Sequence, residues 1–170
     1  AEVFVVDNHS HDGSVAYLRS RFPAVHVIAS AHNLGFARGN NIALRQCKGE
    51  YVLLLNPDTV VGETVIQSSI AFMDSHPAAG AHGVEMIDDR GRRAPESRRG
   101  LPSPSVAFYK MTGLCRRFSQ HDRFAHYYMG SLPWDVPGRI EVVSGAYCFL
   151  RRSALERVGL LDEDFFMYGE

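Results

Sequence analysis

Short apolar runs alternate with amphipathic stretches through the first half of this chain. Residues 51–55, Tyr-Val-Leu-Leu-Leu, show no polar-apolar alternation and are too short for a core helix, so they predict a strand buried on both faces. Pro57 cannot donate to a sheet ladder, which ends that strand near Asn56 and leaves Asp58 just past its carboxyl end. Residues 3–6 predict a second strand, closed by Asp7 and Asn8. Asp12, Gly13 and Ser14 suit a turn and a helix start. Val15, Leu18 and Phe22 then carry helical spacing, and Pro23 stops the helix before another strand at 25–28. Strand, helix, strand implies a crossover connection and parallel pairing.

The pattern continues with a polar loop at 33–41, a helix over 40–46, and, after the strand at 51–55, a helix over 60–75. That helix has an apolar stripe at Val61, Val65, Ile66, Ile70 and Met73. A strand follows around 81–86, then a tight turn at Asp88-Asp89-Arg90-Gly91, whose paired acids read as solvated surface. Residues 92–105 change character, with Arg92, Arg93, Arg98 and Arg99 set among three prolines. They read as an exposed loop, or as a basic segment able to order on an anionic ligand. A helix is expected over 106–118, an irregular aromatic and polar segment over 119–138, and strand-like runs at 140–143 and 146–150. A short helix over 152–158 leads into a tail of acids and aromatics ending at Glu170.

Composition narrows the picture little. The 170 residues are 45% hydrophobic and 22% charged, enough for one domain with a sizeable core. The net charge of -1 gives no global case for nucleic acid or an anionic membrane surface as a partner. No apolar run approaches the ~20 residues of a membrane span. Three scattered cysteines indicate neither a disulfide framework nor a zinc site, and reduced thiols of a cytoplasmic protein are the simpler reading. His9 and His11 can share one side of an extended segment, but no third ligand of metal-site spacing follows.

The candidate chemistry sits at strand ends, where open α/β sheets bind ligands. A carboxylate such as Asp58 can hold a divalent cation beside a phosphate, although Asn-Pro-Asp-Thr also serves as a plain turn and helix cap. The 33–41 loop can present backbone amides to phosphate with Arg38 adding charge; equally, Gly35 can serve a turn and Asn40 a cap. Asp7, Asp58 and Lys110 also mimic the spacing of a phospho-receiver module, against which stand the chain length and the helical surroundings of Lys110.

Five motifs in order give the sharper reading. They are Val-Val-Asp-Asn-x-Ser-x-Asp-Gly-Ser, Asn-Leu-Gly-Phe-Ala-x-Gly-Asn-Asn, Gly-Glu-Tyr-Val-Leu-Leu-Leu-Asn-Pro-Asp-Thr, Val-Ser-Gly-Ala and Leu-Asp-Glu-Asp-Phe-Phe-Met-Tyr-Gly-Glu. Together they resemble a family 2 glycosyltransferase of the rhamnosyltransferase-like branch, over nearly the whole chain. The resemblance implies a GT-A fold, an α/β domain with a Rossmann-like, mainly parallel central sheet flanked by helices. It implies inverting transfer from a nucleotide-diphosphate sugar, of dTDP-rhamnose or UDP-sugar type, to a glycan or lipid-linked acceptor, assisted by Mg²⁺ or Mn²⁺.

The same resemblance assigns residues. Asp7 and Asn8, with Asn33, Gly35, Arg38 and Asn41, match the nucleotide-binding positions. Asp58, with Asn56 in the first place of the usual Asp-x-Asp motif, matches the metal site. Ser144, Gly145 and Ala146 match the loop beneath the donor sugar and acceptor, and Glu163, Asp164 and Glu170 fall in the acidic catalytic motif. A preceding strand and the aspartate expected after Glu170 are not found in the sequence. The 170 residues are therefore expected to be one partial catalytic domain, inactive alone, from a protein working in the cytoplasm or peripherally at the inner membrane face. The rival within this reading is a nucleotide- or glycan-binding domain without turnover.

Overall fold

The computed structural model describes residues 1–118 and 121–167. Contacts divide the chain into two compact units, one of Ala1–Val52, His76–Gly80 and the chain from Leu150, the other of Leu53–Ser75 and Ala81–Phe149.

In the first unit, β1 (Phe4–Asp7) and β2 (His26–Ala29) pair in parallel, with Phe4 opposite His26 and Asp7 opposite Ala29. The connection is α1 (Ser14–Arg21), which enters through Gly13 in the left-handed region. This is the expected crossover unit. The next helix, α2 (Gly35–Leu44), begins five residues before the position expected from sequence. What reads as a glycine-punctuated loop is its first turn and a half. Gly35, Ala37, Gly39, Asn41 and Leu44 form its buried face, so the small residues admit close backbone approach rather than marking a loop. Helix α7 (Arg152–Val158) has its entry fixed by two arginines that bind carbonyls. Arg151 donates to Ala79 and His76, and Arg152 to Gly49 and Cys47.

Strands β3 (Tyr51–Leu55) and β5 (Tyr147–Arg151) are neighbours in a three-stranded sheet of order β3-β5-β4, where β4 is only Ala81–His82. Arg152 N–H donates to Glu50 at one end of the β3-β5 pair, and Asn56 N–H donates to Ala146 at the other, which makes the pair antiparallel. The expected strand at 81–86 is cut short, and residues 140–143 contribute one isolated bridge, Arg99 with Val142, rather than a strand.

The second unit buries Leu54, Met73, Val106, Ala125, Tyr147 and Phe149. Helix α3 (Val65–Ser75) starts five residues later than expected, and its buried positions are Ser69 and Met73, with Val65 and Phe72 half-buried. Ile66 and Ile70, expected inside, are exposed. Ser69 is inside because its hydroxyl lies 2.9 Å from the Tyr147 hydroxyl, so that two buried polar groups satisfy each other. The single helix expected over 106–118 is broken at Gly113, φ 75°, into α4 (Pro104–Met111) and α5 (Leu114–Arg117). The segment expected to be irregular contains α6 (Asp122–Ala125) and a 3-10 turn at His126–Tyr128. Arg98, 6% exposed, stacks its guanidinium 3.6 Å over the Trp134 ring and donates to the carbonyls of Leu132 and Pro133. The basic segment is thus partly a structural clamp.

Candidate functional site

Two groups of candidate residues form, one in each unit. In the first unit, β1 delivers Asp7 to its carboxyl end, where the carboxylate accepts the Ser10 N–H at 3.1 Å. Hydrogen bonding from Ser10 outweighs burial and holds the Asp7 carboxyl below the usual carboxylate range, so it is anionic at neutral pH. Asn8 faces α2, where its amide nitrogen donates to the Gly35 carbonyl at 3.0 Å and its oxygen accepts the Leu34 N–H at 2.7 Å. Asn33 accepts the Gly35 N–H at 3.0 Å and so shapes the entry to α2. Gly35 sits at φ 77°, and a Cβ there would overlap the Phe166 carbonyl oxygen, the same oxygen that accepts the Phe36 N–H at 2.8 Å.

Asn41, 1% exposed, is the hub of this group. Its oxygen accepts the Leu161 N–H at 3.1 Å, and its nitrogen donates to the Leu161 carbonyl and to Glu163 Oε1, each at 2.9 Å. Glu163 Oε1 also accepts from Arg45 at 2.7 Å, while Arg38 stands 3.9 Å from Oε2. Donation from Asn41, then from Arg45, holds the Glu163 carboxyl below its ordinary range. Asp164 is exposed, and its N–H donates to Asp162 Oδ1 at 3.0 Å. Glu170 lies outside the described residues. Arg45 and Leu161 were missed by sequence reasoning, and no local pattern marks them as Asn41 partners.

In the second unit, the turn after β3 and the loop before β5 are tied together. Asn56 N–H donates to the Ala146 carbonyl at 3.2 Å, and Thr59 Oγ1 reaches the same oxygen at 3.4 Å. Ala146 N–H donates to Ser144 Oγ at 3.3 Å, and Thr59 N–H to Asn56 at 3.1 Å closes the Asn-Pro-Asp-Thr turn. The metal-motif residues Asn56 and Asp58 and the loop Ser144, Gly145, Ala146 thus share one strand end, with Asp58 exposed. Among the described residues no group of three His, Cys, Asp or Glu side chains could hold a metal. His9 and His11 do meet, with rings 4.5 Å apart, but without such a set. One carboxylate and one amide oxygen are donors of the kind a hard divalent cation takes, and two are too few for an all-protein cage. Lys110, which the phospho-receiver arithmetic would place at a strand end, lies on α4 with its ammonium 4.6 Å over the Tyr127 ring.

The model of Glycosyl transferase family 2 matches residues 1–159. The chain belongs to that family. Over 179 aligned residues it is 28% identical to the N-acetylglucosaminyl-diphospho-decaprenol L-rhamnosyltransferase of Mycobacterium tuberculosis, covering 99% of this chain and 57% of that protein. It is 27% identical to the low-salt glycan biosynthesis hexosyltransferase Agl10 of Haloferax volcanii, covering 100% of this chain and 50% of Agl10. The chain therefore spans about half the length of these curated relatives. Among solved structures, the mannosyltransferase PcManGT from Pyrobaculum calidifontis, in complex with GDP-Man and Mn²⁺, superposes with a TM-score of 0.60 at 20% identity, over 96% of this chain and 39% of that one. TarS of Staphylococcus aureus also gives 0.60, at 21% identity, over 97% of this chain and 25% of its own. These likenesses establish the GT-A fold, as the motif order implies, and family membership sets the phospho-receiver reading aside.

Proposed function

We propose that residues 1–170 are part of a GT-A catalytic domain that moves a sugar from a nucleotide diphosphate to a glycan or lipid-linked acceptor, with inversion at the anomeric carbon. The observation that carries this reading is the hydrogen-bonded union of the Asp58 turn with the 144–146 loop at one strand end. A donor diphosphate needs a cation and a sugar needs a floor, and this union supplies candidates for both. Asp58, with the Asn56 amide oxygen, would hold Mg²⁺ or Mn²⁺. A cation held there would offset the charge that develops on the leaving diphosphate. Ser144, Gly145 and Ala146 line the sugar side. In the first unit taken by itself, Asp7 is a fixed acceptor suited to N–H groups of a nucleotide base, and the exposed Arg38 is a positive charge suited to phosphate.

The acidic residues divide by partner. Asp164 is exposed and able to take a proton from an acceptor hydroxyl, and Glu170 remains a second candidate. Glu163 is engaged by Asn41 and Arg45, so we assign it to positioning that segment rather than to proton transfer. The relatives' names speak of a diphospho-decaprenol-linked acceptor and of glycan assembly. An acceptor of that kind would place the whole protein peripherally on the cytoplasmic face of a membrane. Among the described residues no helix is long and apolar enough to cross one.

Thermal shift of the chain with UDP, dTDP and GDP, each with and without Mn²⁺, tests the reading. One nucleotide is expected to stabilise the protein in a metal-dependent way, and Asp58→Ala should remove the metal dependence. Unchanged metal dependence in Asp58→Ala would refute the metal assignment. Metal-dependent nucleotide binding without product from the whole protein would favour the non-catalytic binding domain.

A further inference from the structure

We propose that Glu141 is a positioning residue for sugar transfer, whose carboxylate fixes where the loop Ser144, Gly145, Ala146 stands against the Asp58 turn. The inference rests on the sugar-side role given to that loop above, and it names a residue that acts on the loop from outside. Residues 140–146 run up to β5 outside any strand. One isolated bridge joins them to residues 99–101, with the Val142 N–H donating to the Arg99 carbonyl at 3.0 Å. A single bridge specifies the register of two extended segments only weakly. The Glu141 side chain supplies a second point. Its Oε2 accepts the Leu101 N–H at 2.6 Å and lies 3.1 Å from His126 Nε2, so one oxygen ties the approach to the loop to two other segments.

The platform that Glu141 grips is itself fixed. The buried Gly100 donates its N–H to the Tyr127 carbonyl at 3.0 Å, and a Cβ at residue 100 would overlap the His126 carbonyl oxygen. Arg98, next in the chain, is held against Trp134. At the far end of the loop, the Ala146 carbonyl accepts from the Asn56 N–H and from Thr59 Oγ1. The loop therefore spans from Glu141 to the Asn-Pro-Asp-Thr turn, and slack at Glu141 passes to Ala146 and on to Asn56. Exposure decides which contact of Glu141 carries the tie. The His126 pair is open to solvent, with side chains 41% and 37% exposed, and such pairs contribute little. A short bond from a backbone N–H to a carboxylate is charge-assisted and about twice as strong as a neutral one. The Leu101 bond is thus the tie, and His126 orients the carboxylate that makes it.

The test is amide hydrogen exchange of the chain with no nucleotide present. In Glu141→Ala, protection of the Leu101 amide should fall about tenfold or more. Protection of the Val142, Ala146 and Asn56 amides should fall about threefold or more. The Arg152 N–H, at the other end of the β3-β5 pair, should exchange as in wild type. Glu141→Gln keeps an acceptor for the Leu101 N–H and should restore most of the protection at all four amides. In thermal shifts with UDP, dTDP and GDP, the Mn²⁺ concentration giving half of the metal-dependent shift should rise about threefold in Glu141→Ala and return in Glu141→Gln. Unchanged protection at Asn56 and Ala146 in Glu141→Ala overturns the proposal. So does a fall shared equally by Arg152, which marks general destabilisation, a Gln variant no better than Ala, or a Mn²⁺ midpoint that does not move. Wild-type protein with no metal-dependent shift counts against the metal assignment alone, and exchange then decides for Glu141, so the two readings fail separately.

Discussion

Asn41→Ala should release the segment 160–167 from α2. The wild-type amide is 1% exposed and makes two hydrogen bonds to the backbone of Leu161 and one to Glu163. Truncation leaves the Leu161 N–H and carbonyl without that partner in a half-buried place. Each buried polar group left unmatched costs about 1–3 kcal/mol, so the two together cost about 2–4 kcal/mol with partial access to water. Urea denaturation reads the global loss. Hydrogen exchange reads the local one, because protection of the Leu161 amide should fall about 30- to 700-fold for that energy. Asn41→Asp is the sharper variant. It keeps the size and the acceptor for the Leu161 N–H, but it sets a carboxylate against the Leu161 carbonyl and Glu163. Its defect should be greatest at neutral pH and shrink on acidification, as either carboxyl takes a proton. A drop in global stability with unchanged exchange at Leu161 would mean that Asn41 only fills space. No change in either measurement refutes the latch.

Three further outcomes are expected. Gly35→Ala should cost about 1–2 kcal/mol for the left-handed backbone alone, and more as the Phe166 carbonyl is pushed from the Phe36 N–H; denaturant midpoints measure it. Ser69→Ala and Tyr147→Phe should each lose about 1–2 kcal/mol, and the double variant should lose less than the sum, because each single change strands the other hydroxyl. The Glu141 carboxyl is held below its ordinary range by the Leu101 N–H at 2.6 Å and by His126 at 3.1 Å. A depressed carboxyl pKa stabilises the fold fully above the unfolded value of 4.5 and loses that contribution as pH falls through the folded value, so acid melts of Glu141→Gln should be flatter there than those of wild type.

What could be read from the sequence depended on the range of the cause. β1 and β3 were legible because apolar runs and their terminators, Asp7-Asn8 and Asn56-Pro57, are local. The start of α2 was not, because Gly35 serves a close approach to Phe166, far along the chain. The inward face of α3 was misread because Ser69 counts as polar until Tyr147 is known to meet it. The short helices α5 and α6 have too few residues to show a period. The candidate site divides by the same logic. A motif marks positions under constraint without saying whether the constraint is a ligand or the fold. Asn8, Gly35, Asn41 and Glu163 spend their polar or steric character on other parts of the chain. Asp58 and Asp164 keep theirs toward solvent. A group already saturated by the protein gains little from a substrate, whereas an exposed charge held at a strand end or beside a latch has its interactions still to make. Substitutions in the first set should therefore be felt in stability, and substitutions in the second in nucleotide binding and turnover.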